Sequence, residues 1–503
     1  MTSRHALQIL LGLLLVVLIC VSSPEALAQR IYRFYNTGDW VSYTNTRYVT
    51  SIARGFDVVY FGTTGGILRY NLRSDEWLDP LTISDGMPEN WVRQLVVDRM
   101  TDEIWVQGQQ TTSYFNPTFD EWRNDEPFLP EKVQPPGITI AQLPQLITEP
   151  GYFYFPQGIL TDQKMMQYRI TQLLSDDADV VWMGVWGLGP AKADLRRVNL
   201  ELLRFGPYDD DIACLDRDDD DFWFLGGTDG LPGTISHYDR ANGKWEYFEP
   251  VREAGIISDQ FYAVTHDDNN VWIGTELGLV RLDKNDHSFR SYSHFDGIYG
   301  ERVTAILPLK GSLLIGTEQG VSVLDFARDS IYAANSNNIR GQIVNDFAAR
   351  NRTIYAATET GIYSLDWGAS QWNRLSLSSP LLKAAVYDIQ IVDSLLYTVG
   401  EDGVVVLNLN DNSVTVYDRT IRFQNARLTT LLVHQGVIWA GGDDGLFRLN
   451  ARTGNWYRYG VNDGLISTRV SSLVADGDYV WIGTDKGVSR FLWKSFNRSD
   501  WLQ

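Results

Sequence analysis

Cysteine is nearly absent: the 503 residues hold two, Cys20 and Cys214. Cys20 lies in an N-terminal apolar segment, so its removal would leave Cys214 alone, with no internal disulfide. The fold must then be held by its core, and Cys214, within Ile212-Ala213-Cys214-Leu215, reads as a small buried residue. Histidine is scarce. His237, His266, His287, His294 and His434 scatter without the spacing of a metal pair. There is no Gly-x-Ser-x-Gly elbow and no phosphate loop. Hence no catalytic residue, metal or cofactor is expected, and the chain does not read as an enzyme. Runs of Lys and Arg are missing and the net charge is -20, which excludes nucleic acid and an anionic membrane surface as partners. Past the N-terminus, no apolar run approaches the ~18–20 residues of a membrane span.

What is present begins with a targeting segment. Arg4 and His5 precede an apolar run from Ile9 to Cys20, and Ala26-Leu27-Ala28 supplies a small-residue cleavage site. This predicts a secretory signal peptide over 1–28 and an exported chain over 29–503, periplasmic, outer-membrane-associated or secreted. A lipoprotein acceptor at Cys20 is disfavoured, because Ile19 stands where such signals carry a small residue.

A phrase then recurs down the chain: Val58-Val59-Tyr60-Phe61-Gly62-Thr63, later Val271-Trp272-Ile273-Gly274-Thr275, and finally Val480-Trp481-Ile482-Gly483-Thr484. Its anchors are Tyr60, Trp105, Trp182, Trp223, Trp272, Leu314, Tyr355, Tyr397, Trp439 and Trp481, separated by 45, 77, 41, 49, 42, 41, 42, 42 and 42 residues. Each unit reads as four short β-rich runs with Gly-bearing turns and no helical period. Four strands in roughly 42 residues predict an all-β protein: a β-propeller of about ten four-stranded blade repeats. Fourth strands recur at Trp77, Trp122, Trp245, Trp372 and Trp456. A displaced copy at Trp40 can complete the last blade, yet Trp501 reads as that blade's own fourth strand, so closure is ambiguous. Propellers commonly have about four to eight blades. A seven-plus-three division is disfavoured because three blades cannot close, whereas two units, an insertion and eight units also fit the spacing. One large ring is favoured over two.

The 77-residue gap holds a Pro-rich insertion, about 127–157, with Pro127, Pro130, Pro135, Pro136, Pro144, Pro150 and Pro156. It reads as a functional excursion over one face, a boundary between rings, or a packing strap.

The phrase, with linkers such as Ser84-Asp85-Gly86-Met87, Phe295-Asp296-Gly297-Ile298 and Asn462-Asp463-Gly464-Leu465, resembles the two-component regulator propeller repeat over most of 38–503. The resemblance implies a periplasmic propeller of the kind that senses ligands, often glycans, for hybrid histidine kinases. No span, kinase or receiver follows the last repeat, so signalling through this chain is not expected. The N-terminal stretch also resembles propellers of exported secretion-accessory proteins.

The residues just before the first strands are Tyr48, Trp91, Arg169, Asp211, Gln260, Arg302, Ile343, Ala385, Arg427 and Arg469. First strands line a propeller's channel, so Trp91, Arg169, Arg302, Arg427 and Arg469 are candidates for a ligand-binding mouth. Arg holds carboxylates bidentately and aromatic faces stack on sugar rings. The alternative pairs each Arg with a turn acid: Glu276, Glu318, Glu359, Glu401 or Asp485. Trp186 joins the candidates, as a sugar platform or as a residue packed under the insertion. The acidic cluster Asp209–Asp211, Asp216 and Asp218–Asp221 lacks calcium-loop spacing and reads as a solvated turn. The reading is therefore a non-catalytic binding module for a small ligand, an oligosaccharide or an envelope protein. An envelope assembly scaffold and a polysaccharide lyase or hydrolase are the alternatives.

Overall fold

The computed structural model describes residues 35–495 apart from 178, 228–231, 251, 335–337, 376–383 and 451–453. The signal segment 1–28 and Trp501 lie outside the described residues.

Among the described residues the repeats form ten sheets, nine of four antiparallel strands and one of seven, antiparallel but for its outer pair Ile147–Thr148 with Asn199–Leu202. We number them by inner strand along the chain: blades 1 (49–81), 2 (92–124), 3 (147–202), 4 (212–248), 5 (261–292), 6 (303–333), 7 (344–374), 8 (386–418), 9 (428–459) and 10 (470–492). All ten anchors fall in second strands.

The repeated phrase follows from packing. A Cβ on Gly274 would lie 2.5 Å from the Val303 carbonyl of the next blade, so glycine lets blades close on one another. The Thr after it folds the hairpin, as Thr275 Oγ1 donates to the Gly278 carbonyl at 2.9 Å. The Asp-Gly linkers are single 3-10 turns. Asp85 accepts from the Thr82 N–H at 2.9 Å, and Gly86 takes a left-handed φ of 97°.

The single ring of ten is not formed. The inner strands of blades 4 to 10 contact one another in sequence, and blade 10 then contacts blade 4. The same side-chain tie marks successive neighbours: Thr304 Oγ1 donates to Val344 O at 2.6 Å, Asn345 Nδ2 to Val386 O at 2.8 Å, and Ser471 Oγ to Ile212 O at 2.5 Å, which closes the circle. Seven blades thus make a complete ring. The other three form an open arc in spatial order 3, 1, 2, tied by Thr171 Oγ1 to Val49 O at 3.3 Å and Thr50 Oγ1 to Val92 O at 2.6 Å. Three blades indeed do not close a ring; they need not.

The ring is latched by strand Trp40–Tyr43, which pairs antiparallel with blade 10, Trp40 opposite Phe491. The Trp40 and Phe491 rings stack at 4.0 Å. The arc (49–202) is therefore an insertion between the latch and blade 4, and its two connecting segments run side by side. Asn45 N–H donates to Asp210 at 2.8 Å and Thr46 Oγ1 to Phe205 O at 2.7 Å. Ring and arc share one core. Phe61 and Trp182 of the arc meet Phe222, Phe224 and Trp481 of the ring through Tyr43 and Phe205.

The Pro-rich insertion is a strap. Gln134 bonds the Arg54 N–H and carbonyl, and Pro136 O accepts from Ser175 N–H at 2.8 Å, so it crosses the inner strands of blades 1 and 3. Leu143, Leu146 and Tyr154 then bury against Val181, Met183 and Leu200, covering the face of blade 3 that no blade covers. Strands Ile147–Thr148, Tyr152–Phe155 and Ile159–Asp162 widen that sheet to seven.

Candidate functional site

The six residues singled out from sequence divide between two bodies. Arg302, Arg427 and Arg469 stand on the ring rim; Trp91, Arg169 and Trp186 belong to the arc. They do not surround one mouth. Arg302 forms a two-pronged pair with Glu276 of blade 5, at 2.7 and 3.0 Å, which holds the Glu276 carboxyl below its ordinary value. Arg469 lies 3.7 Å from Asp485, and Arg427 packs 5.1 Å over Tyr387. Trp186 meets Tyr48 edge-on at 5.0 Å and stays 43% exposed, as does Trp91. Arg169 is exposed in strand Gln167–Asp177, where its carbonyl accepts from Trp186 N–H at 2.8 Å. The acidic cluster is occupied by partners: Asp216 with His266 at 2.7 Å, Asp218 with Lys284, and Asp221 with His237 at 2.7 Å.

The ring channel is a cavity of about 400 Å³ lined by the seven inner strands. It holds two neighbouring carboxyls, Asp346 and Asp388. Burial and the Asp388 charge push Asp346 well above the ordinary carboxylate value. Each also accepts a main-chain N–H from the next blade, Asp346 from Ile389 at 3.1 Å and Asp388 from Leu431 at 2.7 Å. Ser51 does the same in the arc, accepting from Leu95 N–H at 3.0 Å. The two acids thus act as blade-to-blade ties. Each raises or tempers the other's ionisation as close neighbours in the channel.

A larger concavity than the channel lies elsewhere, on the seam between ring and arc. It encloses about 710 Å³, within the size of ligand sites, roughly 300–1,000 Å³. Its floor is aromatic. Tyr43, Phe205 and Trp245 are buried beneath half-buried Trp77 and Tyr238, with Tyr238 stacked on Trp245 at 4.6 Å and Trp77 tilted on Phe205 at 5.1 Å. Charged walls fix the edges. Asp79 is held by Arg490 at 3.3 Å and by the Tyr43 hydroxyl at 3.5 Å; Asp75 is held by Lys192 at 3.0 Å. Burial raises the Tyr43 hydroxyl far above its ordinary value, so it stays a neutral donor. The ion pair Arg204–Glu149 bounds the cleft and separates it from a second cavity of about 330 Å³. Sequence reasoning missed this cleft. Trp77 and Trp245 were visible only as fourth-strand markers, and nothing local shows that the two strands face each other across the seam.

No protein-family model and no curated protein matches the chain. Among solved structures it is similar to PorZ, a surface component of the type-IX secretion system of Porphyromonas gingivalis, at 14% identity and TM-score 0.49, over 90% of this chain and 70% of that one. It is also similar to the extracellular domain of a putative hybrid two-component system of B. thetaiotaomicron (14%, TM-score 0.48, 88% and 70%) and to virginiamycin B lyase of Staphylococcus aureus (13%, TM-score 0.45, 56% and 94%). These are likenesses of propeller architecture. The chain is a ten-bladed, nearly all-β propeller protein on the evidence of its own sheets, and no described helix is long and apolar enough to cross a membrane.

Proposed function

We propose that this chain is an exported, non-catalytic binding propeller that takes an oligosaccharide in the seam cleft. The observation that carries this reading is the half-buried Trp77–Tyr238 floor of the 710 Å³ cleft. Flat aromatic faces flanked by fixed hydrogen-bonding groups suit a sugar's apolar face and its hydroxyl edge. The repeat's resemblance to sensor propellers and the signal segment support the same location and role. The channel carboxyls, tied to the next blades, give no support to a lyase or hydrolase.

The test is thermal unfolding of 29–503 against a panel of neutral and acidic oligosaccharides. A ligand at 100 times its Kd adds about 2.7 kcal/mol. The shift is expected to vanish in Trp77→Ala and to survive in Arg302→Ala. No shift across the panel, or a shift lost only in Arg302→Ala, overturns the reading. An envelope scaffold is the second reading. It is favoured by the free face of blade 2, where Trp105 and Tyr114 lie side by side at 5.2 Å with no blade beyond.

A further inference from the structure

The second cavity, about 330 Å³, lies between blade 3 with its strap and blade 4, and shares Leu202 and Arg204 with the seam cleft. Its charges are unevenly matched. Arg252 is held by Asp162 at 2.6 Å and Glu249 at 3.0 Å, and Arg204 is held by Glu149. Arg47 differs. Its guanidinium lies 3.3 Å from the centroid of the Tyr208 ring, which orients it, and it makes one hydrogen bond, to the Gly187 carbonyl at 3.3 Å. It makes no ion pair within 4 Å among the described residues, although its charge acts on the buried carboxyls of Asp209 and Asp210, and its buried Nε has no partner. Arg47 lines the cavity without a close carboxylate partner, so a ligand carboxylate placed there would gain charge-assisted hydrogen bonds.

We propose that Arg47 is a carboxylate subsite, and that the saccharide recognised at the seam carries one acidic sugar at the end that reaches past Arg204. This rests on the seam reading above. A single carboxylate is specified because Arg47 is the one arginine lining this cavity without an ion-paired carboxylate among the described residues; Arg252 and Arg204 already hold theirs. Tyr208 supplies a platform that keeps the fork in one orientation, and a lysine cannot reproduce that fork.

The experiment titrates 29–503 calorimetrically with a trisaccharide ending in one glucuronate, and with the same trisaccharide after reduction of the carboxyl to the alcohol. Wild type is expected to bind the acid about tenfold or more tightly than the alcohol, in line with a charged hydrogen bond. Arg47→Gln is expected to bind both alike, at the alcohol's level, and Arg47→Lys to recover the preference only in part. Equal binding of the two sugars by wild type overturns the proposal without recourse to any variant. So does an Arg47→Gln protein, folded by its melting temperature, that keeps the preference. If Trp77→Ala loses both sugars while Arg47→Gln loses neither, the seam reading stands and the subsite falls. If wild type binds neither sugar, both fall.

Discussion

In the ring, every blade has a neighbouring blade on both faces; in the arc, blade 1 alone does. The arc's two ends are finished differently. Blade 3 keeps an apolar face and buries it under the strap. Blade 2 changes the face itself. At the register where the other nine blades place Gly, Ala, Leu or Val, blade 2 places Gln107, opposite Gln94 and Thr112, and the strap's Lys132 lies 5.0 Å from the Trp105 ring. The polar row breaks the apolar surface on which a further blade would pack, and leaves Trp105 and Tyr114 as the aromatic part of that face. A propeller can therefore stop without closing if one end is covered and the other is made polar.

Four changes would break or sharpen this comparison. The largest effect is expected from Trp40→Ala, which removes the buried ring stacked on Phe491 and loosens the latch. A loss of about 3–5 kcal/mol in urea unfolding is expected, turning the ring into a longer arc. Next is Leu146→Ala in the strap, where Leu146 is 3% exposed. About 2–4 kcal/mol is expected, with amide exchange rising first in blade 3 rather than in blades 5 to 9. Third is Asp346→Asn in the channel. Because Asp346 is raised in the folded state, that state holds a proton the unfolded chain has already released, so wild-type stability falls as pH rises from the ordinary carboxylate range through the raised value. The Asn variant still accepts from Ile389 and carries no such charge. It should be the more stable protein at about pH 8, with a flatter stability profile down to about pH 4. Equal profiles would mean that Asp346 ionises freely. The smallest change is Arg302→Ala on the rim: its pair with Glu276 is solvent-exposed, and less than about 1 kcal/mol is expected in thermal unfolding.

The blades were legible in the sequence because their signals are local. Anchors, Gly-Thr turns and Asp-Gly linkers each fix geometry within a few residues, and all ten anchors landed in second strands. The division into seven and three was not, because it depends on which inner strand meets Ile212. That partner is Ser471, at the far end of the chain, rather than the preceding blade 3. The signal for it was present in weak form: Gln107 breaks the phrase where a neighbour would pack, and the Trp40 copy marks a strand given to the last blade. Arg302, Arg427 and Arg469 do stand at strand starts on the ring rim; Trp91, Arg169 and Trp186 were placed with them because a single ring was assumed, and they belong to the arc. The seam cleft and Arg47 arise only when two connecting segments are brought together, and no periodicity encodes that meeting.

The latch also sets a timetable. Strand Trp40–Tyr43 leaves the ribosome among the first described residues, and its partner Val488–Phe491 among the last. During synthesis the strand must wait, edge exposed, while nearly every other blade is made. The arc comes next after it, and with strap and polar face in place it has no need of the ring's later blades to cover its ends. An early-folding arc would hold the waiting strand beside Asp210 and Phe205, at the site where the ring will finally shut.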